Sequence, residues 1–415
     1  MQVYNDRLLT HCAKAIRNIK KAYRRCVMLK LLSAVLSMVF VLTSAAYSGS
    51  WTEYPVYPTS YNQLNPDVYN GVVVWQQEVE YEGAYDWDIL GADLFDLAVP
   101  YPIYVAYYAD NQTNPSIWGN WVIWEDDTYG TDDIDVHLTS IANPNDPTNT
   151  LLTNYYDNQV NPVVHGNTAL WQDPYTDPDT GQKDWDIYGA DLTDIPDPNF
   201  PIYRVTGTVN NETLPALYYT TAVWADNEKS IESADIWLRN QPDYKTVSNS
   251  SLTQTAPAID GNWVVFERDY TGGDIDIYAV DISDPDNPAE YSLVSNAASQ
   301  VTPDISGHIV VWADNRFGNW DIYGYNLVTK QEFPIVEDPA DQTNPAIWGN
   351  LVVWEDVRDG VSNIYYAELE GVEIADCTNV PAGDTDGNCR VDLADIALIA
   401  ESWLTCNLDP VEACL

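Results

Sequence analysis

The chain has 415 residues, and its 18 Lys+Arg stand against 63 Asp+Glu, for a formal charge of −45. A surface this acidic is a poor partner for nucleic acid and anionic lipid, which excludes most polyanion-binding functions. Cations, basic proteins, peptides and neutral glycans remain, as does plain solubility in a salty or crowded exterior.

The N-terminus is the one basic stretch. Residues 1–46 hold 8 of the 18 Lys+Arg and 1 of the 63 Asp+Glu, leaving 10 basic and 62 acidic residues and a formal charge of −52 beyond them. An apolar run, Leu31 to Leu42, follows Met28-Leu29-Lys30, and Ser44-Ala45-Ala46 supplies small residues for cleavage. This reads as a secretory signal peptide over 1–46, with Met28 as an alternative start. An uncleaved anchor is the rival, but the apolar run is shorter than the ~18 residues of a span. The expected location is extracellular or the cell surface, with no membrane span after cleavage.

Seven copies of one unit follow. Each has a Pro, a short apolar run, a tight turn, a Val-Val-Trp-like run, an acidic stretch and an Asp-Ile-Tyr-like strand. NPSIWGNWVIW and NPAIWGNLVVW are two of them. The anchors are Pro66, Pro115, Pro162, Pro215, Pro257, Pro303 and Pro345, spaced 49, 47, 53, 42, 46 and 42 residues apart. A period of ~40–50 residues carrying four strands is that of a β-propeller blade. The expected fold is all-β: a seven-bladed propeller of four-stranded blades over 51–374. The seventh copy lacks its fourth strand, and Glu53-Tyr54-Pro55-Val56-Tyr57 is a spare one. Pairing them closes the ring and hides a sheet edge; Val372 to Ala375 is the rival closing strand. The unit P-x-I-x-G-N-x-V-V-W-x-D…D-I-Y resembles the TolB-like family of propeller repeats, with Gly-Asn where that family usually has Pro-Asp-Gly. The resemblance implies the fold and often a binding role, and carries over no active site.

The aromatic after each Val-Val run (Trp75, Trp124, Trp171, Trp224, Phe266, Trp312, Trp354) suits a wedge between sheets. Asp recurs two places after that Trp and again before the Ile-Tyr strand. One per blade suits hairpin capping, since a catalytic group is needed once. The stretches after the Trp are longest in the first three copies and rich in acids and aromatics. They are expected to form long loops at one end of the channel, with Trp87, Tyr129, Tyr175 and Trp185 as glycan or peptide contacts. No G-x-S-x-G or H-E-x-x-H occurs. Among so many acids, no carboxylate pair stands out for glycoside cleavage.

The composition changes after Cys377. In Gly383-Asp384-Thr385-Asp386-Gly387-Asn388-Cys389-Arg390-Val391-Asp392-Leu393-Ala394-Asp395, oxygen side chains fall at loop positions 1, 3, 5, 9 and 12. That is EF-hand-type Ca2+ spacing, with Asp384, Asp386, Asn388, Asp392 and Asp395 as side-chain ligands and Arg390 through its carbonyl. A helix runs on from Leu393 to Leu404. The segment resembles a type I dockerin repeat, although Cys389 replaces the usual Gly and only one loop is evident. Cys377, Cys389, Cys406 and Cys414 suit two disulfides of open connectivity; their spacings of 12, 17 and 8 do not match paired zinc ligands. The expected module spans 377–415. The resemblance implies a cohesin-like or other extracellular partner. The leading expectation is a monomeric, secreted, non-catalytic recognition or scaffold protein. The alternative is a polysaccharide-degrading glycoside hydrolase or lyase.

Overall fold

A computed structural model describes residues 51–369, apart from 82, 96–101, 129, 131–132, 144–148, 155, 177–180, 182, 196–200, 209, 231–232, 241–242, 249 and 271–272. The fold is an all-β propeller whose strands pair into seven four-stranded antiparallel sheets. The first blade contains Gln63–Tyr69, Val72–Tyr81, Ala84–Asp93 and Ile103–Ala106 in that spatial order. The Gly/Asn turns join inner strand to second strand because these residues accept left-handed φ; Gly119, Gly166 and Gly349 sit near φ 61, 60 and 60. The only helical element among the described residues is one 3-10 turn, Leu192–Asp194.

The core lies between neighbouring sheets. Trp124 of the second blade packs with Val74, Ile89 and Ile103 of the first. Trp75 packs with Leu351, Val353 and Ile364 of the seventh. Six of the seven repeat aromatics are tryptophans, and all seven are among the largest fully buried side chains. Removing such a ring costs ~3–5 kcal/mol, because the rigid sheets on either side cannot collapse into the gap.

The seventh sheet takes its outer strand from the other end of the chain. Glu53–Pro55 pairs antiparallel with Asn363–Glu368, in register Glu53↔Ala367, Tyr54↔Tyr366 and Pro55↔Tyr365. Val56 N–H donates to Ile364 O at 2.7 Å, and Trp51 Nε1 donates to Pro334 O at 3.2 Å. The N-terminal segment therefore closes the ring, as the spare copy suggested. The rival strand at Val372 to Ala375 lies outside the described residues. So do the signal peptide, the α-helical calcium module, its six loop ligands and its four cysteines.

Candidate functional site

The channel is built from one repeated distortion. The residue before each anchor Pro takes a left-handed φ: Asn65 50°, Asn114 56°, Asn161 52°, Leu214 52°, Ala256 47°, Thr302 53° and Asn344 48°. All seven inner strands slip register there, as between Leu64 and Asp67. The bulge aims the N–H at the neighbouring blade. In five blades it meets the residue after the buried aromatic: Asn114 N to Gln76 Oε1 at 3.0 Å, Asn161 N to Glu125 Oε1 at 2.7 Å, Leu214 N to Gln172 Oε1 at 2.8 Å, Thr302 N to Glu267 Oε1 at 2.7 Å and Asn65 N to Glu355 Oε1 at 2.8 Å. Burial pushes the Glu125, Glu267 and Glu355 carboxyls up, and these bonds pull them back. The seven bulges enclose a channel cavity of ≈360 Å³.

A second repeated group sits where each inner strand begins. Gln63, Gln112, Gln159, Gln254, Gln300 and Gln342 are wholly buried there. Several donate to a carbonyl two residues back, as Gln112 Nε2 does to Asp110 O at 2.8 Å. The fourth blade has Glu212 in this place, also wholly buried. Burial is the main cause raising its carboxyl well above the usual range.

The recurrent Asp after Trp caps structure. Asp356 Oδ2 accepts from Trp354 Nε1 at 3.0 Å and Oδ1 from Arg358 N at 2.9 Å; Asp314 does the same for Trp312 and Arg316. Arg358 then bridges Asp356 and Glu53 at 2.6 and 2.7 Å and lies 4.6 Å from the Tyr365 ring centroid. The fifth blade holds the same balance with its charges exchanged: Arg268 replaces the Asp and grips Glu290 with both terminal nitrogens at 2.8 Å.

The third blade departs from this pattern, and its departure makes the candidate site. The acidic stretches expected as loops are in part hairpin arms. Val72–Tyr81 and Ala84–Asp93 stay paired to Tyr81↔Ala84, and Thr168–Thr176 with Lys183–Asp191 to Thr176↔Lys183. Their polarity reflects an arm standing into solvent rather than a loop. Elsewhere the capping N–H comes from two residues after the Asp; here the third arm continues past Asp173, Tyr175 is paired with Asp184 in the ladder, and no turn follows for that Asp to cap. Burial first, then the charges of Asp186, Asp157 and Asp135, push the Asp173 carboxyl up to about 6, against the opposing pull of the Trp171 indole. A cleft of ≈450 Å³ is lined by Asp157, Asn158, Pro174, Lys183, Asp184, Trp185 and Asn211; Asp173 does not line it, but its neighbour Pro174 does. Lys183 Nζ lies 2.8 Å from Asp157 Oδ1.

Of the four expected ligand contacts, Trp185 lines this cleft. Tyr175 stands on the same arm with the Arg204 guanidinium 3.8 Å above its ring. Trp87 is on the first blade's arm opposite Glu78 and does not line the cleft. Tyr129 lies outside the described residues. Asp173 was legible only as one capping Asp among several. What sets it apart is the ladder, which runs on past it to Thr176↔Lys183.

No family model and no curated protein matches the chain. Solved structures do. The β-propeller domain of the trilobed protease from Pyrococcus furiosus superposes with TM-score 0.57 at 10% identity, covering 74% of this chain and 93% of that one; it is described as having an open velcro topology. An oligogalacturonate lyase from Vibrio parahaemolyticus gives 0.55 at 10%, covering 80% and 97%. A puromycin-hydrolysing peptidase from Mycobacterium tuberculosis gives 0.55 at 14%, covering 80% and 56%. The chain spans about half the length of the peptidases it matches. At these identities the likeness is one of fold. The neighbours are nonetheless propellers of peptidases and lyases, and this overturns the expectation of a non-catalytic scaffold, which is set aside.

Proposed function

We propose that the protein is a secreted, TolB-like propeller that cleaves glycosidic bonds of a neutral polysaccharide in the cleft across the third blade. The observation that supports this reading is Asp173. Burial pushes its carboxyl up to about 6, and the residue after it, Pro174, lines the cleft together with Asp157. Acid-assisted glycoside cleavage needs one carboxyl that donates a proton and a second on the other side of the bond. In this scheme Asp173 donates the proton to the leaving oxygen, and Asp157 acts as the base or nucleophile. Trp185 offers a ring face to the sugar. The chain's net charge of −45 argues against a polyuronate substrate.

The test is a panel of polysaccharides scored for new reducing ends and for unsaturated products. New reducing ends are expected. Asp173→Asn should lower kcat by about 10²–10⁴-fold, and activity should fall as pH rises through about 6, where Asp173 loses its proton. Unsaturated products need the C5 proton of a uronate and would overturn both hydrolysis and the neutral substrate. No product from any polysaccharide, or a fully active Asp173→Asn, would sink the proposal.

Calcium belongs to the same reading. Asp384, Asp386, Asn388, Arg390, Asp392 and Asp395 would hold one Ca2+ through oxygen donors, which suits a hard cation. Calorimetry on the full chain should show Ca2+ heat that vanishes in Asp384→Ala with Asp395→Ala. Among the described residues no group of three or more acids, histidines or cysteines is arranged for a metal, so heat that persists in the variant would disprove this assignment.

A further inference from the structure

The opposite end of the channel, where the short turns lie, carries a second constellation. The last residue of the inner strand is Trp348, Tyr69, Trp118, His165 and Tyr218 in the seventh, first, second, third and fourth blades. Their rings touch from blade to blade. Tyr69 lies 5.7 Å from Trp348 and 4.3 Å from Trp118, Trp118 stacks on His165 at 3.5 Å, and His165 meets Tyr218 at 5.0 Å. The result is an aromatic arc over five of the seven blades. Asp260 and Ser306 fill the same position in the fifth and sixth blades, where Asp260 Oδ2 accepts from Gly307 N at 2.6 Å and Ser306 Oγ from Gly349 N at 2.9 Å.

The fourth blade strengthens the case. At the next position five blades have Gly and the first has Asn70, a residue that tolerates φ 49°. The fourth has Tyr219 at φ 52°. A bulky side chain in the left-handed region stores strain that a Gly would relieve, and such outliers concentrate at functional sites. Tyr219 uses this geometry to extend the arc. Its N–H donates to His165 Nδ1 at 3.0 Å, and its ring lies 4.5 Å from His165 and 6.4 Å from Trp118. It is 40% exposed.

Charge decides the class of ligand. One pleat repeat behind the rim, on the same strand face, stand Asp67 and Asp304. Their carboxylates accept Val68 and Ile117 N–H, and Ile305 and Ile347 N–H, each at 2.8 Å. Neither is paired with a side-chain cation in these bonds. Both carboxyls are shifted up, first by burial, and Asp67 and Asp260 each raise Asp304 further. Burial disfavours their ionised form, and a cation nearby would restore it, which a neutral sugar would not do. An ammonium would meet ring faces and acids together.

We propose that the turn-end mouth of the channel binds an alkylammonium group, gripped by Tyr69, Trp118 and Tyr219 and balanced by Asp260 with Asp67 and Asp304 behind it. The site is independent of the glycan cleft at the other end. A free polyamine and a lysine side chain of another protein share this chemistry.

Calorimetry on the full chain tests it, with spermidine and a lysine-containing tetrapeptide as probes. About 0.5 M salt screens loose binding to surface acids. One saturable equivalent is expected. Spermidine alone binding identifies a polyamine; the peptide binding as well identifies a lysine side chain. Trp118→Leu should weaken binding by about tenfold, and Asp260→Asn by less. Tyr219→Gly separates binding from folding: it should melt at the same or a higher temperature yet bind more weakly. Binding that is unchanged in Trp118→Leu and Tyr219→Gly, matched by an uncharged diol, or absent for both cations would overturn the assignment. None of these readings depends on polysaccharide cleavage.

Discussion

The seventh and third blades start from the same repeat and use their charges in opposite ways. In the seventh, Asp356 is saturated by an indole, a backbone N–H and a guanidinium, and Arg358 goes on to Glu53 of the closing strand. The Arg358 charge there ties the capping Asp to the closing strand. In the third, Asp173 has no turn to cap and no arginine of its own, and Arg204 is bound instead to Asp186 at 2.5 Å and laid over Tyr175. The contrast teaches that one repeated residue can keep its indole and lose the rest of its setting: the turn N–H and the arginine that surround Asp356 have no counterpart at Asp173.

The strongest test of the structural half is to remove residues 47–60. This strips the strand at Glu53–Pro55, the buried Val56, the Trp51 contact with Phe333 and the Arg358–Glu53 pair. An unpaired sheet edge is then exposed. We expect a loss of several kcal/mol, seen as a melting temperature lower by roughly 10 °C, with aggregation at high concentration. An unchanged melt would mean that the seventh blade does not depend on its closing strand.

A matched pair of substitutions sharpens the comparison. Asp356→Asn keeps the shape but removes the charge between Trp354 and Arg358. Losing a charge-assisted bond in a buried setting should cost about 1–3 kcal/mol. Asp173→Asn removes a carboxyl that is already disfavoured as an anion, so its melt at pH 7 should hold or rise. Equal losses at the two sites would erase the distinction between capping and free Asp.

Much of the architecture was legible because its causes are periodic. Wedge tryptophans, turn glycines and anchor prolines recur at blade spacing, and the spare strand at Glu53 could be matched to a missing one. The site was less legible because it depends on exceptions. Hairpin arms such as Val72–Tyr81 carry so many acids that they read as loops, and only the ladder to Ala84 shows them as strands. The aromatic mouth was hidden because its members fall at one position in five separate copies, each looking like an ordinary strand end. Tyr219 in a Gly position was visible in the sequence, but its meaning needed the φ angle and the ring contacts around it.

Glu212 offers the finest test, because it changes one atom type in a repeated setting. Six blades begin with a buried Gln, and in five of them its amide donates to a backbone carbonyl without charge. The fourth begins with a Glu that accepts from the Thr208 hydroxyl and sits near Asp186 and Asp226. Its carboxyl is raised in the fold, so the folded protein binds that proton more tightly than the unfolded chain does. In acid, below the ordinary Glu range, both states are protonated and the site costs nothing. As pH rises through that range the unfolded chain ionises first, and stability falls until the folded carboxyl also ionises. Glu212→Gln removes the titration and restores the neutral donor of the other six blades. It should therefore raise the melting temperature at pH 7–8, by an amount that shrinks toward pH 4. A constant difference across that window would show that the fourth blade is held by shape alone. A lower melt for Glu212→Gln at pH 8 would show that the fold needs the carboxylate there, and that this acid belongs with Asp173 among the exceptions.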